Sequence, residues 1–210
     1  MGESTPDAAE TERLLRQASA GDQRAFGELF ARYRPYLHQV IAVRLDPKLR
    51  PRVDPSDVVQ ETQLEVLRRL GEFLQRRPMP FRLWLRETAC ECLLKLREHH
   101  VDVAKRTLKR EIPLPEHSSL LLAQRLLAKG STPSQHFARR ETARRVNQAL
   151  VQLPEADREV LLMRTFEGLS YEEVGCALAI APAAARKRYG RALLRLQKLL
   201  IESGLLESQP

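Results

Sequence analysis

Glycine, cysteine and aromatic residues are all scarce in this chain of 210 residues: nine Gly, three Cys, and 5% Phe, Trp and Tyr together. Sandwiches and barrels draw on β-branched and aromatic strands and on glycine-rich turns, so their shortage, beside abundant Leu, Ala, Arg and Glu, favours helices. The cysteines (Cys90, Cys92, Cys176) are odd in number and lack zinc-ligand spacing, which reads as reduced thiols of a cytoplasmic protein rather than a disulfide framework. No apolar run approaches the roughly 18 residues that a membrane span needs. The acidic beginning (Glu3, Asp7, Glu10, Glu12) is unlike a signal peptide. No membrane insertion is expected. Convergent catalytic chemistry is missing too. Ser, His and Asp stand in no nucleophile setting, His99 and His100 adjoin, and His38, His117 and His136 are scattered. The expectation is therefore no enzyme, no catalytic residue, no cofactor and no metal.

What the chain does have is 43% hydrophobic residues, enough to fill small cores, and a formal net charge of +8. The length allows one domain or two small ones. The charge is unevenly spread. Six bases and no acid lie between Pro182 and Leu200 (Arg186, Lys187, Arg188, Arg191, Arg195, Lys198), and Lys95 to Arg110 holds six more against Glu98 and Asp102. By contrast, Asp54 to Glu72 holds five acids and two bases, and Glu155 to Glu173 six acids and two bases. Alternating acidic and basic modules suit a chain that touches two partners, one of them polyanionic.

Hydrophobic periodicity divides the chain into helices. The first begins near Thr11 and breaks at Gly21. Asp22 can then cap a second, with Ala25, Phe26, Leu29, Phe30 and Tyr33 at helical spacing and Pro35 able to kink its continuation. Asp46 to Pro51 reads as a loop. Asp54 and Pro55 start a third helix, whose inner face is Val59, Thr62, Val66, Leu67 and Leu70, up to Gly71. After the proline-interrupted Gln75 to Pro80 comes the cleanest stripe: Phe81, Trp84, Leu85, Thr88, Ala89, Cys92, Leu93 and Leu96. From about Val101 to Pro133 the regularity fades. So long a linker inside one compact domain would be unusual, which argues for two domains. The second runs from Ser134 through Phe137, Val146 and Leu150. Leu153-Pro154-Glu155 opens its next helix, which Gly168 ends.

Two constellations carry function. Ser170-Tyr171-Glu172-Glu173 is a capping box that starts a short helix to Leu178. Ala179-Ile180-Ala181 turns, and Pro182 opens a longer basic helix. Together they describe a helix-turn-helix, whose second helix enters the major groove of duplex DNA. Ala185, Tyr189, Ala192, Leu193 and Leu196 line one side of that helix. Ala183 and Ala184 are small enough for close approach to a groove, and Arg186, Lys187, Arg188, Arg191 and Arg195 are the candidate DNA contacts. An isolated basic helix is more often a solvated surface; here the cap, the turn length, the proline start and the missing acids agree with one another. The second constellation is Asp57-Val58-Val59-Gln60-Glu61 followed by Phe81 to Arg86. Asp57 and Glu61 share a helix face at i and i+4. By spacing alone they are a metal-binding pair, an anionic docking surface or a solvated first turn.

Asp54 to Thr62 (Asp-Pro-Ser-Asp-Val-Val-Gln-Glu-Thr), Phe81 to Leu85, Leu153-Pro154-Glu155 and Leu169 to Val174 resemble bacterial RNA polymerase sigma factors, in particular the extracytoplasmic-function (ECF) class of the sigma-70 family. The resemblance covers roughly Leu14 to Leu200. It implies an all-α chain of two small helical domains: residues 10–100 like sigma region 2, a linker over 101–133, and residues 134–203 like the region 4 helix-turn-helix. It further implies core RNA polymerase and promoter DNA as partners, and leaves open an anti-sigma factor. Asp57, Gln60 and Glu61 match the polymerase-docking helix. The loop Phe73 to Pro80 matches the one that captures a flipped base of the minus-ten element, with Arg76, Arg77, Arg82, Trp84 and Arg86 as strand contacts. Trp84 also lies on the apolar stripe, where core packing competes with base stacking. Pro182 to Arg195 matches the reader of the minus-thirty-five element.

Three positions depart from the family pattern. Glu91 stands where Asn is usual, Lys95 where Asp is common, and Ala179 where the turn usually has Gly, a replacement that suits only a backbone avoiding positive φ. Two alternatives remain at this level. A stand-alone helix-turn-helix regulator would leave the N-terminal domain without a role. A metal-dependent nuclease would use Asp54, Asp57 and Glu61, residues also suited to helix capping.

Overall fold

The N-terminal helix α1 (Ala8–Ser19) and its successor α2 (Gln23–Arg44) meet at a turn where Gly21 adopts φ 91°. The Asp22 side chain accepts hydrogen bonds from the backbone amides of Arg24 and Ala25, capping α2 as its sequence suggests. These features come from a computed structural model that describes residues 8–45, 49, 51–102, 145–146 and 148–205. Among the described residues every regular element is helical, and the chain separates into two units. The first comprises Met1–Ile41 with Pro55–Glu98. The second comprises Ala42–Asp54 with His99–Pro210. The linker expected at 101–133 and the expected helix start around Ser134 and Phe137 lie outside the described residues, apart from the end of the helix at 101–102.

In the first unit, α3 (Pro55–Arg76) and α4 (Phe81–Asp102) supply most of the core. Leu14 and Leu15 of α1, Leu29, Leu37 and Ile41 of α2, Val58, Val59 and Val66 of α3, and Leu83, Leu85 and Ala89 of α4 are all buried. The Thr11 and Tyr33 hydroxyls are hydrogen-bonded at 3.1 Å, tying α1 to α2, and burial pushes the Tyr33 phenol up from its usual range. Two expectations need correction. Gly71 does not end α3, which continues to Arg76, so the expected loop from Phe73 shrinks to Arg77–Pro80. Leu67 belongs to the outer face, 52% exposed, while Val58 takes an inner place. Val59, Thr62, Val66 and Leu70, spaced 3, 4 and 4 apart, already fill the inward arc, and Leu67 falls about 100° outside it.

An aromatic cluster roots the shortened loop at both ends. Phe73, in the last turn of α3, stacks on Trp84 with centroids 4.4 Å apart and planes at 20°. Phe81, the first residue of α4, lies 5.5 Å from Phe73, 5.8 Å from Trp84 and 5.5 Å edge-on to Tyr33. Each such pair adds about 0.5–1.5 kcal/mol beyond plain area burial. Arg77 ends α3 in a left-handed conformation (φ 38°), its amide donating to the Phe73 carbonyl at 2.7 Å, and Pro78 prevents any continuation.

In the second unit a helical stretch at 148–152 leads to α5 (Glu155–Thr165), α6 (Tyr171–Ala177) and α7 (Pro182–Glu202). Both α5 and α6 pack on α7. Val160, Leu161 and Met163 of α5, Val174 of α6, and Ala185, Ala192, Leu196 and Leu200 of α7 close the core. Alanine at two buried positions of α7 lets the neighbouring backbones come close. Also within this unit, the buried Arg44 guanidinium pairs with the carboxylates of Glu159, at 2.9 Å, and Glu167, which is itself fully buried. Pairing with two acids offsets the desolvation that an isolated buried charge would suffer.

Candidate polymerase and nucleic-acid interface

The short helix α6 has the complete capping box that its sequence signals. The Glu173 amide donates to Ser170 Oγ at 3.1 Å, and the Ser170 amide donates to Glu173 Oε2 at 2.7 Å. Beyond α6 the turn is tighter than the sequence reading allowed. Ala179 takes φ 52°, in the region that an alanine there was expected to avoid. The cause is the closure of the turn: the Ala179 amide reaches back to the Cys176 carbonyl and the Ile180 amide to the Gly175 carbonyl. The conformation costs an alanine about 1–2 kcal/mol more than a glycine. Gly175 makes the same closure possible. A Cβ there would lie 2.7 Å from the Ile180 carbonyl oxygen and 3.3 Å from the Pro182 nitrogen, so only glycine lets α6 approach the start of α7 this closely. Glycine inside a seven-residue helix is a poor helix former, and that misfit is the signal in the sequence from which its role could have been read.

Helix α7 starts with Pro182 at its first position and presents Ala183, Ala184, Arg186, Lys187 and Arg191 to solvent, with Arg188 half-buried. No carboxylate among the described residues pairs with the basic side chains from Arg186 to Arg191. Arg195 differs. Its guanidinium is bonded to the buried Asp157 carboxylate of α5, so it serves the domain as well as facing solvent. Sequence reasoning overlooked Tyr171, whose ring carries the guanidinium carbons of Arg164 at 4.3 Å and Arg186 at 5.0 Å, with Tyr189 edge-on at 6.2 Å. The Glu172 carboxyl lies below its ordinary range, held there by its own backbone amide and by the Ser170 side chain, with smaller help from Arg186 and Arg164.

In the first unit Asp57, Gln60 and Glu61 lie exposed on one face of α3, and that face continues into Leu64 and Leu67, 63% and 52% exposed. The residues matched to strand contact are distributed less simply. Arg76 is exposed and pairs with Glu72 at 2.9 Å. Arg77 makes a two-pronged pair with Glu12 of α1 at 2.7 and 2.8 Å, and that bond draws the Glu12 carboxyl below its usual range. The half-buried Arg82 guanidinium lies over the Tyr36 ring at 4.4 Å. Trp84 and Arg86, the other two residues matched to strand contact, are 5% and 8% exposed, and the Trp84 ring is covered by Phe73, in line with its place on the apolar stripe. Glu91 is paired with Arg69 of α3 at 2.7 Å, which compensates an acid on this face. Lys95 is exposed. Burial raises the Cys92 thiol, keeping it protonated and inert within the core. Among the described residues no group of His, Cys, Asp or Glu is placed to hold a metal ion, and Asp54, Asp57 and Glu61 are no exception. Among the same residues no helix is long and apolar enough to cross a membrane.

Comparison with known proteins places this geometry. Residues 143–196, which hold α5, α6 and most of α7, match the family model described as Sigma-70, region 4. The chain is 32% identical over 187 residues to the RNA polymerase sigma factor CnrH of Cupriavidus metallidurans, covering 89% of this chain and 92% of that protein. It is 29% identical over 191 residues to the ECF RNA polymerase sigma factor SigD of Mycobacterium tuberculosis, covering 91% and 84%. The solved structure of CnrH in complex with the cytosolic domain of CnrY superposes with a TM-score of 0.59 at 27% identity, over 92% of this chain and 98% of that one. Two helical units, a capped helix-turn-helix and likeness along nearly the whole chain converge: the protein belongs to the RNA polymerase sigma factors, in the extracytoplasmic-function class.

Proposed function

We propose that this sigma factor directs core RNA polymerase to a subset of promoters through three surfaces. The exposed face of α3, with Asp57, Gln60 and Glu61 continued by Leu64 and Leu67, docks on the polymerase. The loop Arg77–Pro80 and the adjoining Arg76 and Arg82 receive the opened strand at the minus-ten element. Helix α7 reads the minus-thirty-five duplex with Arg186, Lys187, Arg188 and Arg191, while Ala183 and Ala184 let its backbone approach the groove. All bond making stays with the polymerase. The observation that carries the reading is the exposed, acid-free run of α7 behind a fully formed capping box. The exposed leucines beside the acids of α3 support docking, because a large apolar side chain left in solvent next to a charged face is typical of a protein partner's footprint. The complex of CnrH with the cytosolic domain of CnrY supports a protein partner for this chain as well, the anti-sigma factor that the sequence leaves open.

The test is transcription in vitro with purified core polymerase on a promoter library. The wild-type chain is expected to select a subset of templates, and a core enzyme left equally undiscriminating would end the proposal. A Asp57→Lys/Glu61→Lys chain is expected to lose capture of core polymerase while keeping the duplex affinity of α7. Undiminished capture would remove α3 as the docking face.

A further inference from the structure

The pair of arginines on one tyrosine is unused by the reading so far. Arg164 belongs to α5, Tyr171 opens α6, and Arg186 is the fifth residue of α7, so a single ring gathers cations from three helices. Arg164 is fixed from within, since its guanidinium donates to the Leu169 carbonyl. Tyr189 meets the Tyr171 ring at 64° and limits its rotation. Arg186 is the exposed member, resting on a ring whose position is already determined.

We propose that Tyr171 is a positioning residue for DNA binding: its ring holds the Arg186 guanidinium at the α6 edge of α7, so that Arg186 meets a DNA phosphate and not a base edge. The inference rests on α7 being the duplex-reading helix. In a helix-turn-helix the first helix crosses the sugar-phosphate backbone while the second lies in the groove. A side chain drawn from α7 toward the start of α6 is therefore drawn toward the backbone. Arginine loses considerable rotamer freedom when it grips a ligand, and a ring that already holds the guanidinium removes part of that loss. Two guanidinium groups near one ring repel each other; the negative face of the ring offsets this in the free protein, and a phosphate would offset it further. Glu172 is the charged neighbour of both arginines, while Ser170 and Glu173 are engaged in the capping box. Arg188 and Arg191 are then left to read bases.

The experiment measures binding of the full-length chain to a duplex selected from a random library, at several salt concentrations. Tyr171→Phe keeps the ring and is expected to bind as wild type. Tyr171→Leu keeps an apolar side chain without the ring, and is expected to weaken binding by roughly two- to fivefold. Its log–log salt slope should be shallower by about 0.9, one phosphate contact. Discrimination against mutated sites should be unchanged. In an Arg186→Ala background the leucine substitution is expected to have no further effect. Independent losses from Tyr171→Leu and Arg186→Ala, or an unchanged salt slope, would overturn the positioning role. So would equal losses from Phe and Leu, which would place the effect on the hydroxyl. If Arg186, Arg188 and Arg191 can all be replaced without loss, the reading of α7 itself falls, and this role with it.

Discussion

The arginines flanking the α3–α4 loop and the cations at the start of α7 are held in different ways. Around α3 and α4, arginines are matched by acids: Arg76 by Glu72, Arg77 by Glu12 and Arg69 by Glu91. On α7 the cations from Arg186 to Arg191 form no ion pair with a carboxylate among the described residues, and Arg186 rests on an aromatic ring with Glu172 as its charged neighbour. Exposed ion pairs contribute only about 0–1 kcal/mol each, so those of the first unit can be exchanged for contacts with a strand at small loss. The α7 cations need no exchange. A surface built the first way responds to what displaces its acids, whereas one built the second way is attractive to any polyanion from the outset and must gain its selectivity from geometry.

The contrast can be broken most forcefully on α7. Replacing Arg186, Arg188 and Arg191 together by Ala is expected to weaken duplex binding by several kcal/mol, at roughly 1–3 kcal/mol for each base contact of Arg188 and Arg191 with the Arg186 phosphate contact adding to it, as titrated by fluorescence anisotropy. The same triple change should leave capture of core polymerase intact. Next comes the geometry that aims the helix. Gly175→Ala must push the Ile180 carbonyl away, and is expected to destabilise the second unit by about 1–3 kcal/mol in a urea titration followed by circular dichroism. Ala179→Gly relieves the left-handed alanine and should stabilise the same unit by about 1 kcal/mol, sharpening the point that the turn is tight by design of its neighbours. The smallest effect is on the other side of the comparison. Glu12→Gln removes the charge that pairs with Arg77 and should cost less than about 1 kcal/mol in stability while raising affinity for single-stranded DNA. Because Arg77 lowers the Glu12 carboxyl, the stabilisation from this pair is present above the ordinary carboxylate range and is lost as the pH falls through the lowered value. Acid unfolding of wild type and variant should therefore converge at low pH.

Local signals were the legible ones. The Ser170 box, the Asp22 cap, the Pro182 start and the Phe81-to-Leu96 stripe depend on residues within one or two turns of each other, and each is found where its chemistry places it, the stripe being buried to Leu93 and half-buried at Leu96. What was not legible depends on distant partners. Gly71 looked like a stop, yet the Phe73–Trp84 stack rewards continuing α3 to Arg76. Trp84 and Arg86 were matched to strand contact by resemblance; the apolar stripe already set Trp84 toward the core, but the Phe73 ring that covers it lies on another helix. The partners of Arg77 and Glu91 lie 65 and 22 positions away, beyond any periodicity. Tyr171 was hidden inside a capping box in which its neighbours Ser170 and Glu173 had obvious roles.

The stack of Trp84 on Phe73 has a practical consequence. Trp84 is the chain's single tryptophan and sits wholly within the first unit. Its emission, excited at the red edge where tyrosine is silent, should thus report on melting of the first unit and leave the helix-turn-helix dark. Paired with a far-ultraviolet signal to which both units contribute, that one indole lets the two halves of the molecule be watched coming apart separately, with no label attached.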